Sequence, residues 1–239
     1  FRVEDNGQVI RYGSPYMMEG RYIRLSVTSG KVAMLEAAAV DADSGKVLPL
    51  TGLDAGGRLL SDEQDAFGGK PTWFNSMYFD EIYHGRTAFE QMNALTGQEP
   101  SAIYETSHPP LGKLLMTFSV MLFGMTPFGW RFAGALAGVL MLPGMYLLGK
   151  QLTNKKFFGL VAMLLMAFDF MHFTQTRIAT IDSFVTLFII YAYFFMFRWM
   201  TADPAASPLR KRLLPLALSG LMMGLAIASK WTGVYAGIE

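Results

Sequence analysis

The chain contains no cysteine. Disulfides, thiol catalysis and cysteine-based zinc sites are therefore excluded. Charge is also scarce: 16% of the 239 residues are Asp, Glu, Lys or Arg, against about a quarter in an ordinary soluble domain. The formal net charge is only +1, and no basic patch interleaved with aromatics is present, so nucleic acid is not an expected partner. There are only three histidines, two of them, His84 and His108, in one short polar segment. Without a third ligand nearby, that pair points to hydrogen bonding rather than a metal site, and no metal is expected.

What the chain has instead is apolar residues, 52% of the total, unevenly placed. Residues 1–113 mix polar, charged and turn residues. Residues 114–239 are dominated by Leu, Met, Phe, Ala and Gly. One change of composition near Lys113 predicts a membrane protein with a water-facing N-terminal part. The sequence starts at Phe1 and ends just beyond an apolar run, and it reads as a piece cut at both ends.

Residues 1–70 are expected to form a β-rich extracytoplasmic module. Ile23, Leu25 and Val27 alternate with Arg24, Ser26 and Thr28, the period of a half-buried strand. A second run covers residues 32–40, and Asp43-Ser44-Gly45 before the apolar residues 47–50 predicts a hairpin. The stretch resembles a galactose-binding-like jelly roll. Residues 61–72 read as a linker. A helix is expected over 76–95, with Asp80 and His84 four residues apart on one face and Glu81 pointing elsewhere; Gly97 ends it. Pro109-Pro110 suits the first turn of the next helix, from Leu111 onward.

Residues 114–123 are apolar but too few to cross about 30 Å of hydrocarbon, and are expected at the interface or packed under the polar part. Full spans are expected over 131–149, 157–173, 183–200 and 213–229. Glycines 134, 138, 144 and 149 suit close helix contacts in lipid. Lys150, Lys155, Lys156, Arg198, Arg210, Lys211 and Arg212 occupy the connections at one end, which the positive-inside rule puts in the cytoplasm. Residues 79–113, the 177–182 connection and the segment near Lys230 then meet at the outer face.

At that face the candidates for chemistry are Asp80, Glu81, His84, His108, Lys113, Arg131, Arg177, Asp182, Lys230 and Trp231. Ionisable residues at the ends of apolar spans are costly and tend to be functional or paired. The bland alternatives are snorkelling for the lysine and arginines, a solvated helix face for Asp80-Glu81, and an Arg177–Asp182 pair across a short loop. Aromatic Tyr78, Phe79 and Tyr83 lower the polarity around Asp80-Glu81, which suits a carboxylate to take a proton.

Five separated strings agree in order with one family: Phe79-Asp80-Glu81 with His84-Gly85, His108-Pro109-Pro110-Leu111-Gly112-Lys113, Trp130-Arg131, Arg177 through Asp182-Ser183, and Ser229-Lys230-Trp231-Thr232-Gly233. Over residues 76–239 the chain resembles the protein O-mannosyltransferases, of the GT-C class of polytopic glycosyltransferases, and more their bacterial branch. The resemblance implies a polytopic α-helical membrane protein of GT-C type behind the β-rich module, with an outer-face loop region over 71–130 and membrane helices over 131–239.

It implies transfer of a sugar, typically mannose, from a polyprenyl-phosphate donor to a Ser or Thr hydroxyl of an acceptor protein, with inversion. In that scheme Asp80 is the base beside Glu81, Arg131 and Arg177 serve the donor, and His84, His108, Lys113, Asp182, Lys230 and Trp231 contact substrate. No cofactor is implied beyond the lipid-linked donor. The partners implied are membrane lipid and acceptor protein, with dimerisation with a homologue left open. Ser107 stands where the family often has an acid, and Tyr83-His84 replaces a His-Phe order. The family's first spanning helix and its later helices fall outside the chain, which implies that this stretch alone is inactive. Two other readings keep most of these residues: the same fold glycosylating a lipid or wall glycan, and a carbohydrate-binding membrane protein or transporter, which predicts discontinuous helices around a midplane site.

Overall fold

The structure, a computed structural model, describes residues 19–26, 28–29, 37–61, 64, 74, 76–97, 103, 105–203 and 208–237. The chain divides into two units, Phe1–Ser76 and Met77–Glu239.

In the first unit, strands β1 (Ala39–Val40) and β2 (Val47–Leu48) pair antiparallel with Val40 opposite Val47. This is the expected hairpin. Its turn is closed by the Asp41 carboxylate, which accepts from the Ser44 N–H at 2.7 Å and the Ser44 hydroxyl at 2.6 Å, and by Gly45 at φ 69°. A five-residue helix, α1 (Ala55–Leu59), follows, capped by the Asp54 side chain. The wider β-rich module is not what the described residues contain: they hold a two-stranded sheet and no more. Ile23 and Leu25, expected in a strand, lie outside any strand and are 56% and 48% exposed. Alternation alone makes no strand without a partner to cover its apolar face. Val27, residues 30–36 and most of the 61–72 linker fall outside the described residues.

The second unit is helical. Helix α2 (Glu81–Thr96) begins five residues later than the composition suggests, because Phe79 has φ 55°, a left-handed conformation that no helix of L-residues continues through. Gly97, at φ 75°, closes it as expected. Helix α3 (Leu111–Phe123) starts behind Pro110 and stops at Gly124. At 13 residues it covers about 20 Å, short of a span. Helix α4 (Pro127–Thr153) starts with Thr126 capping the Gly129 N–H and Pro127 in the first turn.

Helices α4, α7 (Asp182–Met200) and α8 (Leu209–Ser229) are long and apolar enough to cross a membrane. The expected span over 157–173 is corrected: it is two helices, α5 (Lys156–Ala167) and α6 (Phe170–Thr176), bent by 60°. Asp169 causes the break. Its carboxylate accepts from the His172 N–H at 2.7 Å, so it caps a new helix instead of continuing the old one. If the bent pair crosses as one, the spans number four. A short 3₁₀ helix (Trp231–Gly237) follows α8.

Helix α4 packs on α5 and α7, α7 on α8, and α3 on both α2 and α4. Met116, Val120, Trp130, Ala137, Met141, Ile181, Phe184 and Leu187 form the core between them. Two of the four glycines of the α4 seam sit where a side chain has no room: a Cβ at Gly138 would lie 2.6 Å from Thr176, and one at Gly149 2.9 Å from Ala162. Pro143 removes a hydrogen-bond donor inside α4. Neighbouring carbonyls are bonded from outside the helix, Leu140 by the Tyr191 hydroxyl at 3.1 Å and Gly138 by the His172 Nε2 at 3.1 Å, as backbone in hydrocarbon requires. The outward faces stay apolar and exposed, with Val139 62%, Leu165 70% and Leu221 54% exposed.

Candidate active site

The N-terminus of α2, the turn before α3, the start of α7 and the end of α8 meet at one end of the helical unit. Asp80, Tyr83, His84, Glu105, Thr106, Ser107, His108 and Lys230 line a cavity there of about 500 Å³. Residues separated by up to 150 positions are thus brought together, as the alternation of loops across the spans predicts.

The adjacent acids part company. Asp80 lies in the cavity wall, and its carboxylate is not spent on capping α2. Glu81 is wholly buried. Its carboxylate forms a two-pronged pair with Arg131, both contacts 2.7 Å, and it also accepts from the Ala179 N–H at 2.9 Å and the Tyr78 N–H at 3.3 Å. It ties α2 to α4 and to the segment before α7. Arg131, expected to serve the donor, spends its guanidinium on this pair. Tyr78 and Trp130 lie within 5.9 Å of it.

Lys113 is likewise not at the cavity wall. It is 2% exposed, and its ammonium donates to the Glu105 carboxylate and to the carbonyls of Glu105 at 2.9 Å and His108 at 3.0 Å. Glu105 is the residue that the sequence reading missed. It accepts from the His108 N–H at 3.1 Å and from the Ser107 hydroxyl, so an acid serves this turn after all, two positions ahead of Ser107. The signal was present as an acid three residues before His108 and eight before Lys113, but nothing local shows that the chain folds back over that distance. Burial pushes the Glu105 carboxyl up. The hydrogen bonds from Lys113, Ser107 and His108 outweigh it and hold the group well below the usual carboxylate range.

His84 and His108 meet edge to face, 6.0 Å between ring centroids. Burial pushes the His84 imidazole down to about 4, against the upward pull of Asp80 and Glu105 and with smaller downward contributions from His108 and Lys113. His84 is 4% exposed and its Nδ1 has no hydrogen-bond partner among the described residues. The neutral ring in the folded state, against about 6.5 when unfolded, makes stability complete above pH 6.5 and progressively lost as pH falls toward 4, by roughly 3 kcal/mol in all. His84→Gln is expected to flatten the fall of the melting temperature across that window. Parallel melting curves for the two proteins would remove this role.

Asp182 pairs with Lys230 at 2.6 Å, not with Arg177, which corrects the loop pairing considered above. Arg177 is exposed with its guanidinium over Phe173, 5.5 Å from the ring centroid, and does not line the cavity. The Trp231 indole N–H donates to the Ser107 carbonyl at 2.9 Å and so pins the 3₁₀ helix beside the turn. Among the described residues no three His, Asp or Glu side chains are grouped to hold a metal ion.

The helical unit thus brings a carboxylate, two imidazoles and a lysine to one cavity at the end of its long apolar helices. Comparison with known proteins gives the family. The family model described as dolichyl-phosphate-mannose-protein mannosyltransferase matches residues 70–238, and the chain belongs to that family. Proteins named polyprenol-phosphate-mannose–protein mannosyltransferase are similar to it in Mycobacterium tuberculosis, 28% identical over 66% of this chain and 33% of the relative, in Mycolicibacterium smegmatis, 27% over 70% and 35%, and in Corynebacterium glutamicum, 26% over 66% and 34%. The chain therefore spans about a third of the length of the curated relatives it matches. No solved structure matches it.

Proposed function

We propose that the protein to which this chain belongs transfers a mannosyl group from a polyprenyl phosphate to a protein hydroxyl, with inversion, at the extracytoplasmic face. The observation that carries the reading is the placement of the Asp80 carboxylate in a cavity with His84, His108 and Lys230. A serine or threonine hydroxyl is a weak nucleophile and needs a carboxylate within about 3 Å. As its oxygen attacks the anomeric carbon, its proton passes to Asp80, the bond from that carbon to the phosphate oxygen breaks, and the lipid phosphate leaves with the electron pair. One displacement inverts the centre, unlike the two of a retaining enzyme.

Lys230, held by Asp182 at the cavity wall, is the cation best placed to stabilise the departing phosphate. Arg177, exposed at the same end, is a second candidate. Glu81 and Arg131 act by holding the helices that carry Asp80. Helix α4 supports that face: its 27 residues separate its ends by about 40 Å. Arg131 lies at the site end. Lys150 and the neighbouring Lys155 and Lys156 lie at the other, which the positive-inside rule assigns to the cytoplasm.

The test is the full-length enzyme in vesicles with radiolabelled polyprenyl-phosphate mannose. Label is expected in acceptor protein. Label confined to lipid or glycan would replace the acceptor, and no transfer with a competent donor would overturn the reading.

A further inference from the structure

The turn before α3 is built around one histidine. The Nδ1 of His108 lies 3.1 Å from Glu105 Oε1, and the His108 backbone N–H donates to that same oxygen at 3.1 Å. The Ser107 hydroxyl, 3.2 Å from Nδ1, also donates to Oε1. The other oxygen, Oε2, takes the Lys113 ammonium. Lys113 in turn grips the carbonyls on either side of the turn. Glu105 is thus bonded to residues 107, 108 and 113 at once, and the ring of His108 has little freedom to turn.

An ionised carboxylate only accepts hydrogen bonds. The hydrogen between Glu105 and His108 therefore sits on Nδ1, and in the neutral ring Nε2 is left as a bare acceptor. Beside it stands His84, whose ring also lines the cavity and whose buried Nδ1 has no partner among the described residues. Two imidazole rings packed edge to face suit hydroxyl groups. An anion is drawn instead to Lys230, also in the cavity wall.

We propose that Glu105 is a positioning residue: it fixes His108 as the Nδ1–H tautomer and presents Nε2 to the cavity as a hydrogen-bond acceptor for a hydroxyl of the transferred sugar. The proposal rests on the transferase reading above. It divides the cavity into a sugar end at the two histidines and a phosphate end at Lys230.

The experiment is nitrogen NMR of the full-length enzyme, labelled at the histidine rings and held in lipid bilayers, alongside kinetics of mannosyl transfer. His108 is expected to show a protonated Nδ1 and an unprotonated Nε2. Glu105→Gln keeps a neutral partner for Lys113 but offers either an N–H or an oxygen to the ring. It is expected to mix the tautomers and to lower kcat by about tenfold to a hundredfold, the loss seen when the group orienting a metal-bound imidazole is replaced. It also leaves the buried Lys113 ammonium without its counter-charge, so a lower melting temperature is expected with it, and the tautomer is the deciding readout.

A purely structural Glu105 would lower the melting temperature and leave the tautomer alone, and that result overturns the proposal. So does an unmodified enzyme with hydrogen on Nε2, a measurement that needs no variant to fold. Unmodified enzyme that fails to transfer mannose counts against the transferase reading, and the tautomer then decides the positioning role by itself.

Discussion

Asp80→Asn in the full-length enzyme is expected to lower kcat by about 10²–10⁴-fold, the usual contribution of a positioned general base, with donor affinity nearly unchanged. Asparagine is isosteric, and Asp80 is not spent on capping α2, so the fold loses little. What disappears is the group that takes the acceptor's proton. Affinity is expected to survive because the groups proposed to meet phosphate and sugar do not depend on Asp80 for their hold: Lys230 is paired with Asp182, and His108 is bonded to Glu105. Donor binding by titration and single-turnover transfer on the same preparation make the comparison. Wild-type turnover by Asp80→Asn would end the assignment, and a matching loss of donor affinity would move Asp80 from acceptor to donor.

Arg131→Ala is expected to cost about 3–5 kcal/mol of stability, because it leaves a buried carboxylate without its counter-charge. Glu81 is 0% exposed and accepts two hydrogen bonds from Arg131. It also holds the Ala179 N–H, so an orphaned anion would loosen the segment before α7 as well. The resemblance implied a different outcome, a folded enzyme with weakened donor binding. The Glu81–Arg131 pair adds the expectation of a folding defect that would affect both substrates' sites together. The double variant Glu81→Gln/Arg131→Met discriminates. Glutamine still accepts from Ala179 and no charge is left buried, so most of the lost melting temperature is expected to return. Arg131→Ala melting like the unmodified protein would show that the pair is not structural.

The two results separate residues that stand side by side in the sequence. Asp80 and Glu81 follow Phe79, whose left-handed backbone starts α2 abruptly. From there one acid faces the cavity and the next faces α4. Helical spacing explains why Asp80 and His84 share a face. It leaves open which face meets the cavity, because that depends on where α4 and the 177–181 segment approach.

The same limit explains Lys113 and Arg131. A cation at the end of an apolar run reads equally as a substrate ligand, a snorkelling side chain or half of a buried pair. Its partner decides, and here the partners are 8 and 50 positions away. Asp182 is a sharper case: the sequence offers Arg177 five residues off, and the fold supplies Lys230 from the end of α8. Asp169, within the expected 157–173 span, is decided by its partner too: its capping of the His172 N–H makes it the end of one helix and the start of another.

The sequence by itself determined several helix ends and the places of the long apolar helices. Gly97, Pro110, Thr126-Pro127 and Gly124 set helix ends through local backbone preferences that need no distant partner. Long apolar runs set the candidate spans, because the cost of burying a charge in hydrocarbon is a property of the residue itself. Tertiary structure alone decided who bonds to whom: Glu81 with Arg131 and Ala179, Glu105 with Lys113 and His108, Asp182 with Lys230. A charged hydrogen bond forms over about 3 Å, so its choice of partner is made only when packed helices bring one candidate within reach and bury the others.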